Sequence, residues 1–131
     1  MEALDTQEQI ALTRMIMELL DAWGLDAAQE IALLGLPEKT PKRALRRFRQ
    51  GTEPFPDSAE TRERLEHIVG IAEALRTTFP RNANMRTQWM RQPHRRFGQP
   101  PLAVMVDQGL AGLVAVRCTL DCAFAWNTME A

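Results

Sequence analysis

The sequence lacks most of the signals that would point to β-structure, a membrane or catalysis. It contains no tyrosine, and apolar and polar residues rarely alternate as they do in β-strands. No apolar run approaches the roughly 18 residues of a membrane span, and the N-terminus lacks the basic start and apolar middle of a signal peptide. A Ser-centred elbow, a Gly-rich phosphate loop and an HExxH sequence are also absent. We therefore expect an all-α protein of the cytoplasm that is not an enzyme and uses no cofactor.

Cysteine is scarce as well, with only Cys118 and Cys122, one helical turn apart. This spacing indicates reduced thiols in a helical core rather than a disulfide framework. Together with His67 and His94 they offer four candidate zinc ligands, but zinc sites usually use tighter ligand pairs, so we favour structural roles. A Cys118 nucleophile with His94 as its base is disfavoured, because a buried cysteine on a helix usually behaves as a small hydrophobic residue.

Charge is unevenly distributed along the chain, although the net charge of its 131 residues is only −1. This length suffices for one ordinary domain or two small ones. Residues 1–30 and 52–80 are acidic, whereas residues 31–51 and 81–96 each carry an excess of five positive charges. A basic patch attracts either phosphate or an acidic protein surface, and its sign alone does not distinguish the two.

Apolar residues recur at intervals of three and four, which predicts helices along the whole chain. Asp26 suits the N-cap of a short second helix, and Asp57 with Glu60 suggests a capping box for a long fourth one. The helices are expected over residues 6–23, 27–34, 41–50, 58–79 and 83–90, over a short stretch from 101, and over 110–126. The last segment is strongly apolar. On a monomer it would expose hydrophobic surface, which indicates a partner or a second copy, and its apolar residues are Leu113, Val114, Val116, Leu120, Phe124 and Trp126.

The segment KTPKRALRRFRQG, residues 39–51, predicts a helix with clear limits and a basic outer face. Thr40 suits the N-cap, Pro41 the first helical position and Gly51 the position beyond the end. The outer face holds only cations, whereas a merely soluble helix mixes both signs. With the preceding helix it resembles a helix-turn-helix, although the turn of six residues, 35–40, is longer than usual. The predicted DNA-binding residues are Lys42, Arg43, Arg46, Arg47 and Arg49, and a plain solvated face is the alternative.

The segment WMRQPHRRFGQPPLAVMVDQG, residues 89–109, places arginines and aromatic residues among three prolines and two glycines. A loop that only reverses the chain is usually short, small and polar, so this one indicates contact with a partner. Trp89 and Phe97 are suited to anchor an interface or to fill the core of a small domain, and we favour the core. For the arginines we favour contact over solvation.

Three segments in this order resemble the Xre/MbcA/ParS family of bacterial type II antitoxins. They are LLGLPEKTPKRALRRFRQG, RLEHIVGIAEALRTTFP and WMRQPHRRFGQPPLAVMVDQGLAGLVAV, and the resemblance covers the chain from about Leu19 onward. Its most specific part is a Trp, a Pro, a Gly followed by Pro-Leu, and a closing Gly. In this sequence these positions are Trp89, Pro93, Gly98, Pro101, Leu102 and Gly109.

The resemblance implies an Xre-like helix-turn-helix domain with its connecting helix over 1–80 and a toxin-binding domain over 81–131. It implies a homodimeric antitoxin that binds operator DNA and neutralises a cognate RES-domain toxin, which consumes NAD, by occluding the NAD site. The toxin-binding residues would be Trp89, Arg91, Arg95, Arg96, Phe97, Gly98, Pro101 and Leu102. The alternative is a stand-alone helix-turn-helix transcription regulator whose C-terminal half only dimerises.

Overall fold

The computed structural model describes residues 5–130, with side chains through residue 122. Within that range the chain forms seven α-helices and no β-strand, which confirms the predicted all-α class. The helices are α1 (Thr6–Ala22), α2 (Ala27–Leu34), α3 (Lys42–Gln50), α4 (Ala59–Thr78), α5 (Ala83–Arg91), α6 (Pro101–Gln108) and α7 (Leu110–Glu130). The chain divides into two compact units, residues 1–65 and 66–131, and the division falls inside α4.

The first unit is built on the apolar stripe of α1. Its buried residues recur at intervals of three and four, the spacing of one helix face. α3 packs against α1, and the ring of Phe48 meets that of Phe55 edge-on at 5.0 Å. The backbone N–H of Phe55 donates to the Thr13 hydroxyl at 3.1 Å, which ties the linker before α4 to α1. The core consists of Ile16, Met17, Leu20, Trp23, Leu33, Leu34, Leu45, Phe48 and Phe55.

α2 begins and ends where the sequence predicted. The Asp26 side chain accepts from the backbone N–H of Gln29 at 2.8 Å, and the Gln29 side chain accepts from the N–H of Asp26 at 3.0 Å. These reciprocal bonds make a capping box, which satisfies two orphan donors of the first turn. The helix stops at Gly35, whose φ of 70° lies in the left-handed region that favours glycine.

Two predicted caps are wrong, in each case because a neighbouring residue takes the position. α3 begins one residue late, with Pro41 as its N-cap, because the Thr40 hydroxyl donates to the Pro37 carbonyl at 2.6 Å. At α4 the Ser58 hydroxyl accepts the N–H of Thr61 at 3.1 Å, so Ser58 is the cap. Asp57 lies outside the helix, and its carboxylate pairs with Arg62 at 3.3 Å.

The second unit depends on a close approach between α6 and α7. Its core combines apolar residues of α4, α5, α6 and α7. Gly109 alone separates α6 from α7, with φ at 61°. A Cβ added at Gly112 would overlap the Val104 carbonyl oxygen, so the two helices meet backbone to backbone. The core residues are Ile68, Ile71, Leu75, Met90, Val104, Met105, Leu113, Val116 and Leu120.

Cys118 and Cys122 are free thiols, as predicted, but their predicted place in the core is wrong, since both are exposed on α7. Packing selects another face of that helix, where Leu113, Val116 and Leu120 are buried. A cysteine pair at helical spacing therefore does not show which face enters the core.

The predicted apolar face of α7 is divided by the fold. Leu113, Val116 and Leu120 point into the core, whereas Val114 is 39% exposed. The side chains of Phe124 and Trp126, which belonged to the same prediction, lie outside the described residues. Most of the described part of this face is therefore covered within the unit itself.

We expect Gly112→Ala to lower the free energy of unfolding by about 2 kcal/mol, because the added methyl group meets the backbone of α6. Urea unfolding at equilibrium measures the change. Gly98→Ala is the matched control: Gly98 has a φ of 69° but open space around its Cβ position, so only backbone strain of about 1 kcal/mol is expected. Equal losses for the two variants would contradict the close approach.

Candidate interaction surfaces

The outer face of α3 carries all five residues that the sequence predicted to bind DNA. Lys42, Arg43, Arg46, Arg47 and Arg49 are exposed, while Leu45 and Phe48 of the same helix are buried. The amphipathic pattern thus places the cations outside and the apolar residues inside, as predicted. The five cations differ mainly in what they contact.

Arg49 is held by the protein's own carboxylates. Its Nε donates to Asp21 Oδ2 at 2.8 Å, and its Nη2 donates to Asp21 Oδ1 at 3.0 Å. Nη2 also donates to Glu30 Oε1 at 2.7 Å. Because Asp21 lies on α1 and Glu30 on α2, this guanidinium ties α3 to both helices.

Glu30 is the buried member of this cluster, with only 1% of its surface exposed. Its Oε2 has no hydrogen-bond partner among the described residues. Burial raises the pKa of the Glu30 carboxyl from 4.5 to about 7, although the positive charge of Arg49 acts in the opposite direction. Asp21 adds to the rise through its negative charge. The cluster therefore contains a carboxyl that is only partly ionised near neutral pH.

The remaining cations of α3 are freer. Arg47 lies 3.6 Å from Glu53, and both side chains are about half exposed, so this pair is weak. The side chains of Lys42, Arg43 and Arg46 form no ion pair or hydrogen bond within residues 5–122. They make an exposed positive patch on this unit.

The geometry of the predicted helix-turn-helix differs from the usual motif in two ways. Seven residues, 35–41, separate α2 from α3, one more than the sequence suggested. α3 also packs mainly against α1. The helix-turn-helix assignment and its DNA-binding residues stay predictions.

The second basic surface is a loop between α5 and α6, residues 92–99, which we call the basic loop. The backbone N–H of His94 donates to the Gln99 carbonyl at 3.1 Å, and the His94 carbonyl accepts from Gly98 at 2.9 Å and from Phe97 at 3.1 Å. Gly98 has a φ of 69°, which allows this tight reversal. Prolines at 93 and 100 restrict the backbone on either side. The basic loop is thus a closed turn.

An aromatic cluster supports the basic loop. The imidazole ring of His94 lies 5.5 Å from the ring of Trp89 on α5, at 62°, and 5.5 Å from that of Phe97, at 46°. All three residues are half-buried. Trp89 and Phe97 therefore combine features of both predicted roles. Their rings pack against His94 of the basic loop, and part of each ring is still exposed.

Three of the arginines in this region are available to a partner. Arg91, Arg95 and Arg96 are exposed, and their side chains have no partner within residues 5–122. Arg86 belongs to the same basic block but donates to the carbonyls of Phe79 and Pro80, at 2.8 and 3.0 Å. It therefore caps the end of α4 and is not part of the accessible charge.

The other predicted toxin-binding residues differ in exposure. Gly98 is exposed, Leu102 is half-buried and Pro101 is buried at the start of α6. The structure thus places Phe97 and Gly98 in one turn, with Trp89 of α5 against His94 of that turn, while Pro101 is buried. Sequence reasoning missed His94 as a member of this group. Its position between Pro93 and Gly98, in a short proline-bounded turn, was the available signal.

The candidate zinc ligands do not assemble into a site. In the described part of the chain no three His, Cys, Asp or Glu residues lie close enough together to hold a metal ion. His67 Nδ1 lies 3.2 Å from the Arg117 guanidinium, and His94 belongs to the basic loop. Among the described helices, none is long and apolar enough to cross a bilayer.

Comparison with known proteins assigns the family. Residues 74–122 match the family model for the antitoxin Xre/MbcA/ParS C-terminal toxin-binding domain, a range that contains the end of α4, α5, the basic loop, α6 and the first part of α7. The chain is also 34% identical over 104 residues to uncharacterized protein y4oB of Sinorhizobium fredii (strain NBRC 101917 / NGR234), covering 79% of this chain and 76% of that protein. Residues 74–122 therefore form a toxin-binding domain of the Xre/MbcA/ParS antitoxin family, as the motifs in this part of the chain suggested.

We expect the pH dependence of stability to report Glu30. Because its pKa is raised from 4.5 to about 7 in the folded chain, the folded state holds this proton more tightly, so stability falls as pH rises through that window. Glu30→Gln should remove most of this fall, which amounts to about 3 kcal/mol at most. Urea unfolding at pH 5 and pH 8 measures it. The exposed Glu18→Gln should keep the wild-type slope, and an unchanged slope in Glu30→Gln would contradict the assignment.

Proposed function

We propose that this chain is the antitoxin of a type II toxin–antitoxin pair, and that its partner is an NAD-consuming toxin with a RES domain. The observation that carries the proposal is the basic loop, which lies inside the toxin-binding domain matched by the family. It presents Arg95 and Arg96 to solvent without a partner among the described residues.

The chemistry of an NAD site favours such a loop as its blocker. A cleft that holds NAD accommodates a diphosphate and offers polar or acidic groups around it. Guanidinium groups are planar, permanently charged donors that bind carboxylates and phosphates with two parallel hydrogen bonds. Arg91, Arg95 and Arg96 would enter this cleft or cover its rim, and the toxin would lose access to NAD.

The closed form of the basic loop supports tight binding. Ordering a flexible loop on association costs free energy, so a loop that is already hydrogen-bonded and bounded by prolines loses less. Trp89 and Phe97 present aromatic surface beside the arginines, the combination enriched at the centre of protein interfaces.

Autorepression through DNA is the second part of the proposal. The exposed cations of α3 would contact operator phosphates, and the side chains of Lys42, Arg43 and Arg46 have no partner within residues 5–122. A homodimer in the cytoplasm, bound to its toxin in a larger complex, completes it. The exposed Val114 on α7 is consistent with contact to a second copy or to the toxin.

A stand-alone transcription regulator is the alternative function, favoured by the same α3 surface. The regulator would bind a specific duplex without any second protein, whereas the antitoxin forms a complex of fixed ratio with the product of a neighbouring reading frame. Co-expression with each adjacent reading frame, with a tag only on this chain, distinguishes the two. A co-purifying partner that depletes NAD when expressed alone supports the antitoxin. A tagged chain that elutes alone and binds DNA supports the regulator.

Reversing the charge of the basic loop should weaken the toxin complex. We expect Arg95→Glu with Arg96→Glu to lower the affinity for the co-purified partner by about tenfold or more, because two guanidinium contacts become repulsive. Isothermal titration calorimetry measures it. Arg81→Glu, a single reversal in the same basic block but outside the loop, should change the affinity by less than about threefold. Equal effects would show that only overall charge matters.

Removing the free cations of α3 should affect DNA binding alone. We expect Arg43→Ala with Arg46→Ala to reduce the salt dependence of binding to the upstream operator by about two units of slope, since two phosphate contacts are lost. Toxin neutralisation should be unchanged. Arg76→Ala, an exposed arginine of α4, serves as the control. Fluorescence anisotropy at several salt concentrations gives the slopes, and an unaltered slope in the double variant would contradict DNA binding by this face.

A further inference from the structure

His94 forms the hydrogen bonds that close the basic loop, and one of these bonds uses its side chain. The imidazole Nδ1 accepts the backbone N–H of Arg96 at 3.1 Å. A ring nitrogen that accepts a hydrogen bond carries no proton, so this geometry requires the neutral tautomer with its hydrogen on Nε2. The bond spans two residues, like the Asx turns in which an aspartate or asparagine side chain accepts from the backbone two positions later.

The same residue links the basic loop to the helix before it. Its ring contacts that of Trp89 on α5 and that of Phe97 in the loop. Its backbone N–H and carbonyl meanwhile hold Gln99, Phe97 and Gly98. No other residue of the loop combines main-chain hydrogen bonds, aromatic ring contacts and a side-chain atom that accepts a hydrogen bond.

We propose that His94 is the positioning residue of the basic loop: its neutral imidazole holds the backbone at Arg96, and thereby the guanidinium groups of Arg95 and Arg96, in the form that binds the toxin. This inference rests on the proposed function. His94 need not touch the toxin itself, because it acts through the two arginines.

Protonation of His94 would undo this arrangement. An imidazolium carries N–H groups on both nitrogens, so Nδ1 would face the N–H of Arg96 donor to donor. Its charged neighbours in the loop and at the end of α5 are Arg91, Arg95 and Arg96, and the helices that flank the loop in the chain add only Arg86 and Asp107. No carboxylate pairs with His94 within residues 5–122. Toxin binding should therefore weaken when His94 is protonated.

Two substitutions separate the hydrogen bond from the ring. His94→Asn keeps an acceptor that reaches the N–H two residues on and does not titrate. His94→Phe keeps an aromatic ring against Trp89 and Phe97 and has no acceptor. A purely structural role for the ring predicts that Phe replaces His better than Asn does, whereas positioning through Nδ1 predicts the reverse order.

The first measurement uses the full chain without a partner. In ¹⁵N-labelled protein, the Arg96 amide signal is followed by NMR from pH 7.5 to 5.5. We expect it to move with the His94 ring signals in the wild type and to stay constant in His94→Asn. An Arg96 amide that does not follow His94 in the wild type would overturn the positioning role, whatever the toxin does.

The second measurement is the affinity for the co-purified toxin at both pH values. We expect His94→Asn to bind within about threefold of the wild type at pH 7.5, and His94→Phe to bind about tenfold more weakly, the effect of one lost hydrogen bond. The wild type should lose affinity at pH 5.5 relative to His94→Asn, which controls for titration of the toxin. Wild-type affinity for His94→Phe would overturn the inference. If the wild-type chain captures no toxin at all, the proposed function fails, while the Arg96 signal still tests the loop.

Discussion

Each helix of the described chain ends with backbone carbonyl groups that need donors, and two of the arginines supply them. Arg86 donates to the carbonyls of Phe79 and Pro80 at the end of α4. Arg64 approaches the carbonyls of Ala32 and Leu33 at the end of α2, at 3.4 Å each. Short helices joined by short turns have many such ends, so part of the positive charge is used inside the fold. Only the arginines left over form accessible basic surfaces.

Both basic blocks use part of their positive charge for contacts inside the fold. In the first, Arg49 binds the buried Glu30 and Asp21, and the remaining cations of α3 face outward. In the second, Arg86 caps α4, and Arg95 and Arg96 remain in the basic loop. In each block one guanidinium is bound within the fold, and other arginines of the same block remain exposed. A charge count along the sequence therefore overstates the charge that a partner meets.

The basic loop is organised by a polar contact and an aromatic cluster rather than by burial in a large core. His94 combines the two, because its ring packs against Trp89 and Phe97 while Nδ1 accepts from Arg96. Such a loop is held by local contacts without being deeply buried, which suits a surface that must remain accessible. The close approach of α6 and α7 at Gly112 gives this unit a second fixed contact, between backbones.

The sequence by itself determined the helices, their approximate limits and the family. These features depend on residues within about four positions of each other, as at Asp26 with Gln29, or on short motifs such as the one from Trp89 to Leu102. Even there, two neighbouring residues could each accept a hydrogen bond as the N-cap of α4, and the structure uses Ser58 rather than Asp57. Only the tertiary structure decided that Arg49 is held by Asp21, 28 residues away, and that Cys118 lies outside the core. The physical reason is that partners and burial depend on which faces of distant helices meet, and helical spacing specifies a face without saying what will cover it.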